Sequence, residues 1–106
     1  MSLTEQEFRL KSDEALQHAR RGLMSLADAD AGFELELQNG VLNLVFEAPS
    51  ETKFVVSPNA PVRQIWVSAM GKSYKLPWSP EQSAFVINGE TLTQLLDRLT
   101  RVFLQH

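Results

Sequence analysis

Four carboxylates, Asp28, Asp30, Glu34 and Glu36, crowd one short stretch of this 106-residue chain. If the residues from Phe33 onward form a strand, Glu34 and Glu36 share one face, about 7 Å apart at the Cα by strand rise. Grouped, solvated carboxylates attract hard cations through oxygen ligands, weakly and without strict geometry. Asp28 would also sit at the negative end of a helix macrodipole, a poor position for helix stability. On residue types alone, a solvated charged edge is the plainer alternative.

A second kind of chemistry is offered by Val62-Arg63-Gln64-Ile65-Trp66-Val67-Ser68-Ala69. β-branched and aromatic residues dominate, which predicts a strand from Val62 onward. Alternation puts Ile65 and Val67, with Arg63, on the core face and Gln64, Trp66 and Ser68 on the other. Trp66 then stands between polar neighbours on the face that should meet water. Either another element covers so large an aromatic or a partner does. An exposed Trp beside Arg and amide groups is also the residue chemistry of binding hot spots.

Other chemistries are excluded by composition. There is no cysteine, so disulfides, thiolate metal sites and a self-ligated iron–sulfur cluster are ruled out. The two histidines are His18, expected on the wet face of a helix, and His106. A formal charge of −3 argues against a nucleic-acid partner, which calls for a basic patch. No apolar run approaches membrane-spanning length. Residues 1 to 7 lack the character of a signal or transit peptide, which gives a cytoplasmic location as the expectation. No Gly-x-Ser-x-Gly, phosphate-binding glycine loop or His-Glu-x-x-His motif is present, so no catalytic constellation emerges.

The elements that must position these residues follow from periodicity. Phe8, Ser12, Leu16, Ala19, Leu23 and Leu26 mark one face of a helix from about residue 4 to residue 28, with Thr4 and Glu7 as a capping box. Phe33, Leu35 and Leu37 alternate with Glu34, Glu36 and Gln38, and Asn39-Gly40 suits a type I′ turn. Pairing across that turn sets Leu37 against Leu42, Leu35 against Leu44 and Phe33 against Phe46. Further strands are predicted over residues 52–57, the Trp66 segment, 73–78 and 84–87. A second helix carries Leu92, Leu95, Leu96, Leu99, Val102 and Phe103 inward, capped by Thr91 with Gln94. The order is helix, six mainly antiparallel strands, helix, in a single domain over residues 1–106. The packing solution is an α+β two-layer sandwich, with both helices on one face of the sheet and Trp66 on the open face.

Asn59-x-Pro61-x-x-Gln64-Ile65-Trp66 resembles the signature of the frataxin family, including its bacterial CyaY-type members. Ser73-Tyr74-Lys75-Leu76-Pro77-Trp78 is similar to the family's next strand, and Asn88-Gly89-Glu90-Thr91-Leu92 to the start of its last helix. Weaker similarity runs through Asn39-Gly40-Val41-Leu42 and the first helix, so the resemblance covers nearly the whole chain. It implies the same α-β6-α sandwich and an acidic ridge that binds Fe2+ or Fe3+ weakly at surface carboxylates. The matching positions are Asp28, Asp30, Glu34 and Glu36, with Asp13 and Glu14 further up the helix. Gly32 stands where the bacterial type usually has another acid, and the helix's last turns hold Arg20, Arg21, Gly22, Leu23, Met24 and Ser25 where the family is acidic. The resemblance further implies that Trp66, Gln64 and Asn59 dock on the cysteine desulfurase and iron–sulfur scaffold complex. Ser83 or Phe85 falls where the family commonly has a bulky aromatic on the sixth strand. The implied role is a monomeric adaptor, regulator or iron donor in iron–sulfur cluster assembly, with metal-dependent oligomers as a further state. The alternatives are a ferroxidase, and an interaction module that has lost strong iron binding.

Overall fold

A computed structural model describes residues 3–28 and 33–105. The first helix, α1 (Glu5–Leu26), begins where sequence logic puts it. Thr4 Oγ1 accepts from the Glu7 amide at 3.1 Å while the Glu7 carboxylate accepts from the Thr4 amide at 2.9 Å. That reciprocal pair satisfies two helix-end donors at once and holds the Glu7 carboxyl below its usual value, chiefly through the Thr4 backbone hydrogen bond. Phe8, Ser12, Leu16, Ala19 and Leu23 are buried at spacings of three and four, and Leu26 is half-buried. The apolar stripe is therefore the one the sequence predicts.

The strands follow as β1 (Phe33–Gln38), β2 (Val41–Phe46), β3 (Thr52–Asn59), β4 (Gln64–Ala69), β5 (Lys72–Ser79), β6 (Ala84–Ile87) and β7 (Glu90–Thr91), before α2 (Leu92–Leu104). Each strand pairs antiparallel with the next, so the sheet runs in chain order. Three hairpins turn on a residue in the left-handed region followed by glycine: Asn39-Gly40, Met70-Gly71 and Asn88-Gly89. Positive φ at both central residues matches the right-handed twist of the strands, as in a type I′ turn. The predicted register of the first hairpin is observed, with Phe33 opposite Phe46, Leu35 opposite Leu44 and Leu37 opposite Leu42.

Sequence and structure differ at two points. Among the described residues seven strands are present where six were expected, because Asn88-Gly89 turns the chain into the short β7 before Thr91 caps α2. Arg63 is not a core-face strand residue. It closes a 3-10 turn over Ala60–Val62 at φ 55°, and β4 starts one residue later. Its guanidinium donates to the Leu3 and Ala60 carbonyls, clipping the residues before α1 to the β3–β4 connection.

Both helices cover one sheet face. Phe8 of α1 meets Phe85 of β6 edge-on with ring centroids 5.7 Å apart, and Phe103 of α2 reaches Phe46 of β2 at 4.8 Å. Leu42, Leu44, Phe54, Val56, Ile65, Val67 and Leu76 complete this single core from the sheet side. The helices meet closely at Gly22, where an added Cβ would lie 2.8 Å from the Thr93 Cγ2 methyl. Among the described residues, no helix is long and apolar enough to cross a membrane.

Candidate functional site

Burying one sheet face forces the alternate residues of every strand onto the other, which α1 and α2 leave uncovered. In register, one row reads Ser57, Trp66, Lys75 and the next reads Glu36, Asn43, Val55, Ser68, Ser73. Ile65 and Val67 are buried on the core side, while Trp66 between them is 37% exposed. For an indole this is substantial, and the ring is held in place rather than left loose. Its Nε1 donates to Gln64 Oε1 at 2.9 Å. The Lys75 ammonium lies 4.9 Å from the ring centroid, in cation–π range. Asn59 faces Gln64 across the β3–β4 ladder. The three residues singled out from the sequence, Asn59, Gln64 and Trp66, thus share one end of the open face.

Sequence reading placed Ser68 on this face but missed Lys75, Ser57 and Ser73 as members of the group. The signal was available: a two-residue turn at Met70-Gly71 fixes Trp66 opposite Lys75 and Ser68 opposite Ser73. A hollow of about 390 Å³ lies there, lined by Val55, Ser57, Trp66, Ser68, Ser73 and Lys75. Its apolar floor and hydroxyl rim suit one seated side chain better than a small-molecule ligand.

The carboxylates are arranged differently. Glu34 and Glu36 are exposed on the outer face of β1, and Asp28 is exposed just beyond α1. Asp30 lies outside the described residues. Asp13 accepts from Gln17 Nε2 at 2.9 Å, and Glu14 lies 3.6 Å from Lys11 Nζ, both on the surface of α1. Fifteen helical steps put Asp13 about 22 Å from Asp28 along the axis. Among the described residues, no three His, Asp or Glu side chains converge as a metal site would require. The carboxylates form a dispersed edge that can attract cations without enclosing one. His18, exposed on α1 as expected, shares a hydrogen bond with Thr93 Oγ1 at 2.9 Å and joins the two helices.

Comparison with known proteins meets this geometry from another direction. Curated relatives include the iron-sulfur cluster assembly protein CyaY of Pseudomonas syringae pv. syringae, 28% identical over 104 residues, covering 94% of this chain and 88% of the relative. The protein of the same name from Azotobacter vinelandii is 29% identical over 102 residues, with the same coverage. That of Cupriavidus metallidurans is 35% identical over 68 residues, covering 63% of this chain and 60% of its own. Among solved structures, the frataxin from Psychromonas ingrahamii superposes with a TM-score of 0.72 at 18% identity, over 97% of this chain and 91% of that one, a likeness of fold. The model of the frataxin-like domain matches residues 1–106. With that match spanning all the elements from the α1 cap to the end of α2, the chain belongs to the frataxin-like family.

Proposed function

We propose that this protein serves iron–sulfur cluster assembly as a non-catalytic docking partner. Its open sheet face seats on a cysteine desulfurase and its scaffold protein, and its acidic edge carries iron weakly, as cargo. The working compartment under this reading is the bacterial cytoplasm. The observation that carries it is Trp66, held upright on the uncovered sheet face by Gln64 and Lys75. A fixed aromatic surrounded by small polar groups loses little conformational freedom on binding, which is what a hot-spot anchor needs. The names of the curated relatives supply the pathway, and the shared fold supplies the face.

The dispersed carboxylates favour docking over iron oxidation as the principal activity. A ferroxidase would hold its iron between converging ligands, and the described carboxylates do not converge. An open edge instead supports exchangeable occupancy, in which Fe2+ is delivered rather than stored.

The test is binding of the purified protein to a bacterial cysteine desulfurase with its scaffold, by biolayer interferometry. Trp66→Ala should weaken binding about 30-fold, the ratio for a 2 kcal/mol hot spot, while Tm falls by only about 4–8 °C and the variant stays folded. Equal binding by wild type and variant, or no binding by either, would remove the docking role.

A further inference from the structure

We infer that the partner surface seated on the open sheet presents a carboxylate to the hollow beside Trp66, so that this end of the interface reads an acidic segment. The inference rests on the docking role above and specifies the chemistry of its partner.

The argument is the distribution of charge over one face. On the uncovered side, Glu34 and Glu36 belong to β1, at one edge of the sheet. The cations on the same side, Lys53 and Lys75, belong to β3 and β5. The row through Lys75 contains Trp66 and Ser57 and no acid. Four strand spacings separate β5 from β1, about 19 Å. That exceeds the screening length of about 8 Å at physiological salt, so the acidic edge does not neutralise Lys75. Ion pairs among the described residues lie elsewhere, at Arg9–Glu5, Lys11–Glu14, Arg98–Glu90 and Arg101–Asp97. Lys75 is therefore held over the indole by cation–π attraction with its ammonium free to pair outward.

The hollow completes the site. Ser57, Ser68 and Ser73 bring hydroxyl donors to its rim, with Lys75 on one side and the Trp66 ring as its wall. Hydroxyl donors and an ammonium around an apolar floor match a carboxylate on a short aliphatic stem, the side chain of Glu or Asp. The acids of the face, Glu34 and Glu36, stand at its other end on β1. The face is thus bipolar. A partner must bring an acid to β4–β5 and a base to β1, and this pairing would set its orientation.

Two experiments test this. In the first, 15N-labelled protein is titrated with deca-glutamate and with deca-lysine. Deca-glutamate should shift the Trp66 indole N–H and the Ser57, Ser68 and Ser73 amides, an effect lost in Lys75→Gln, whereas deca-lysine should shift the Glu34 and Glu36 amides. Absence of the first set of shifts would overturn the inference whether or not the desulfurase binds. In the second, Lys75→Glu should weaken binding to the desulfurase–scaffold complex about tenfold at low salt, and Lys75→Gln less, with both variants still folded at the assay temperature. Unchanged or tighter binding by Lys75→Glu would overturn the acidic-partner assignment while leaving the docking role standing.

Discussion

The Lys75 ammonium and the Trp66 ring, facing each other across the β4–β5 ladder, meet at 4.9 Å on the side of the sheet no helix covers. The pairing explains how a large aromatic can stay at the surface: one face of the ring is occupied by the cation and its edge by Gln64. Such a cation–π contact contributes about 0.5–1 kcal/mol at an exposed site. Trp66→Ala should therefore cost about 1 kcal/mol of stability, far below the roughly 3–5 kcal/mol of a buried large aromatic. Ile65→Ala, one residue earlier and fully buried, should cost about 2–5 kcal/mol. Urea unfolding of the two variants checks the contrast, and equal losses would mean Trp66 is a core residue in solution.

At Gly22, α1 and α2 approach closely. Alanine would ordinarily gain about 1 kcal/mol over glycine inside a helix. Here its Cβ would sit 2.8 Å from Thr93 Cγ2, and Thr93 cannot turn freely while its hydroxyl is bonded to His18. Gly22→Ala alone should thus be neutral or destabilising. In a Thr93→Ser background, which removes the methyl and keeps the hydroxyl, the same change should stabilise by about 0.5–1 kcal/mol. A double-mutant cycle by thermal or chemical denaturation measures the coupling directly. Additive effects would show that the helices are not in contact at this point.

Most of the scaffold was legible because local signals agreed with one another. The Thr4–Glu7 and Thr91–Gln94 capping boxes, the Asn39-Gly40 turn and the β1–β2 register each followed from a few adjacent residues. What failed was non-local. Arg63 is held by the Leu3 carbonyl, sixty residues earlier, together with the Ala60 carbonyl, and these override the strand preference of its neighbours. β7 depends on pairing with β6 and is too short to carry a periodic signal. The site divides the same way. Trp66 was legible from alternation within its own strand, whereas Lys75 required carrying the register through a second turn. The spread of Asp13 and Glu14 away from Glu34 and Glu36 is a distance, and residue types alone do not report it.

A pH dependence follows from the Glu90–Arg98 pair, which ties β7 to α2 through two hydrogen bonds of 2.8 Å. Those hydrogen bonds from Arg98 hold the Glu90 carboxyl below its ordinary value of about 4.5. Because the folded value is the lower one, the contribution is present above the ordinary glutamate range and is lost as pH falls through the folded value. The pair is solvent-screened, so it adds at most about 1 kcal/mol. Glu90→Gln should destabilise at pH 7 and converge with wild type in strongly acidic solution. Chemical denaturation across pH 2.5 to 7 would show the two curves closing. A constant gap would mean that the pair contributes through packing rather than charge.

The acidic edge makes the last prediction. Glu34 and Glu36 share a strand face, Asp28 follows α1, and Asp30 comes between them in sequence. An edge of this kind binds a hard cation through summed charge and a few open oxygen ligands, so its affinity depends on the group more than on any member. Asp28→Asn, Asp30→Asn, Glu34→Gln and Glu36→Gln together should abolish Fe2+ binding, and single changes should weaken it only a few-fold each. The quadruple variant should also unfold at slightly higher temperature, because like-charge repulsion is relieved. Asp13→Asn with Glu14→Gln should have the smaller effect on iron. Those two carboxylates already face Gln17 and Lys11, and they stand about 22 Å up the helix by its rise. Isothermal titration under anaerobic conditions separates the outcomes. Iron affinity intact in the quadruple variant would move the site off this edge, and a dominant loss from the Asp13–Glu14 pair would place it on α1 instead.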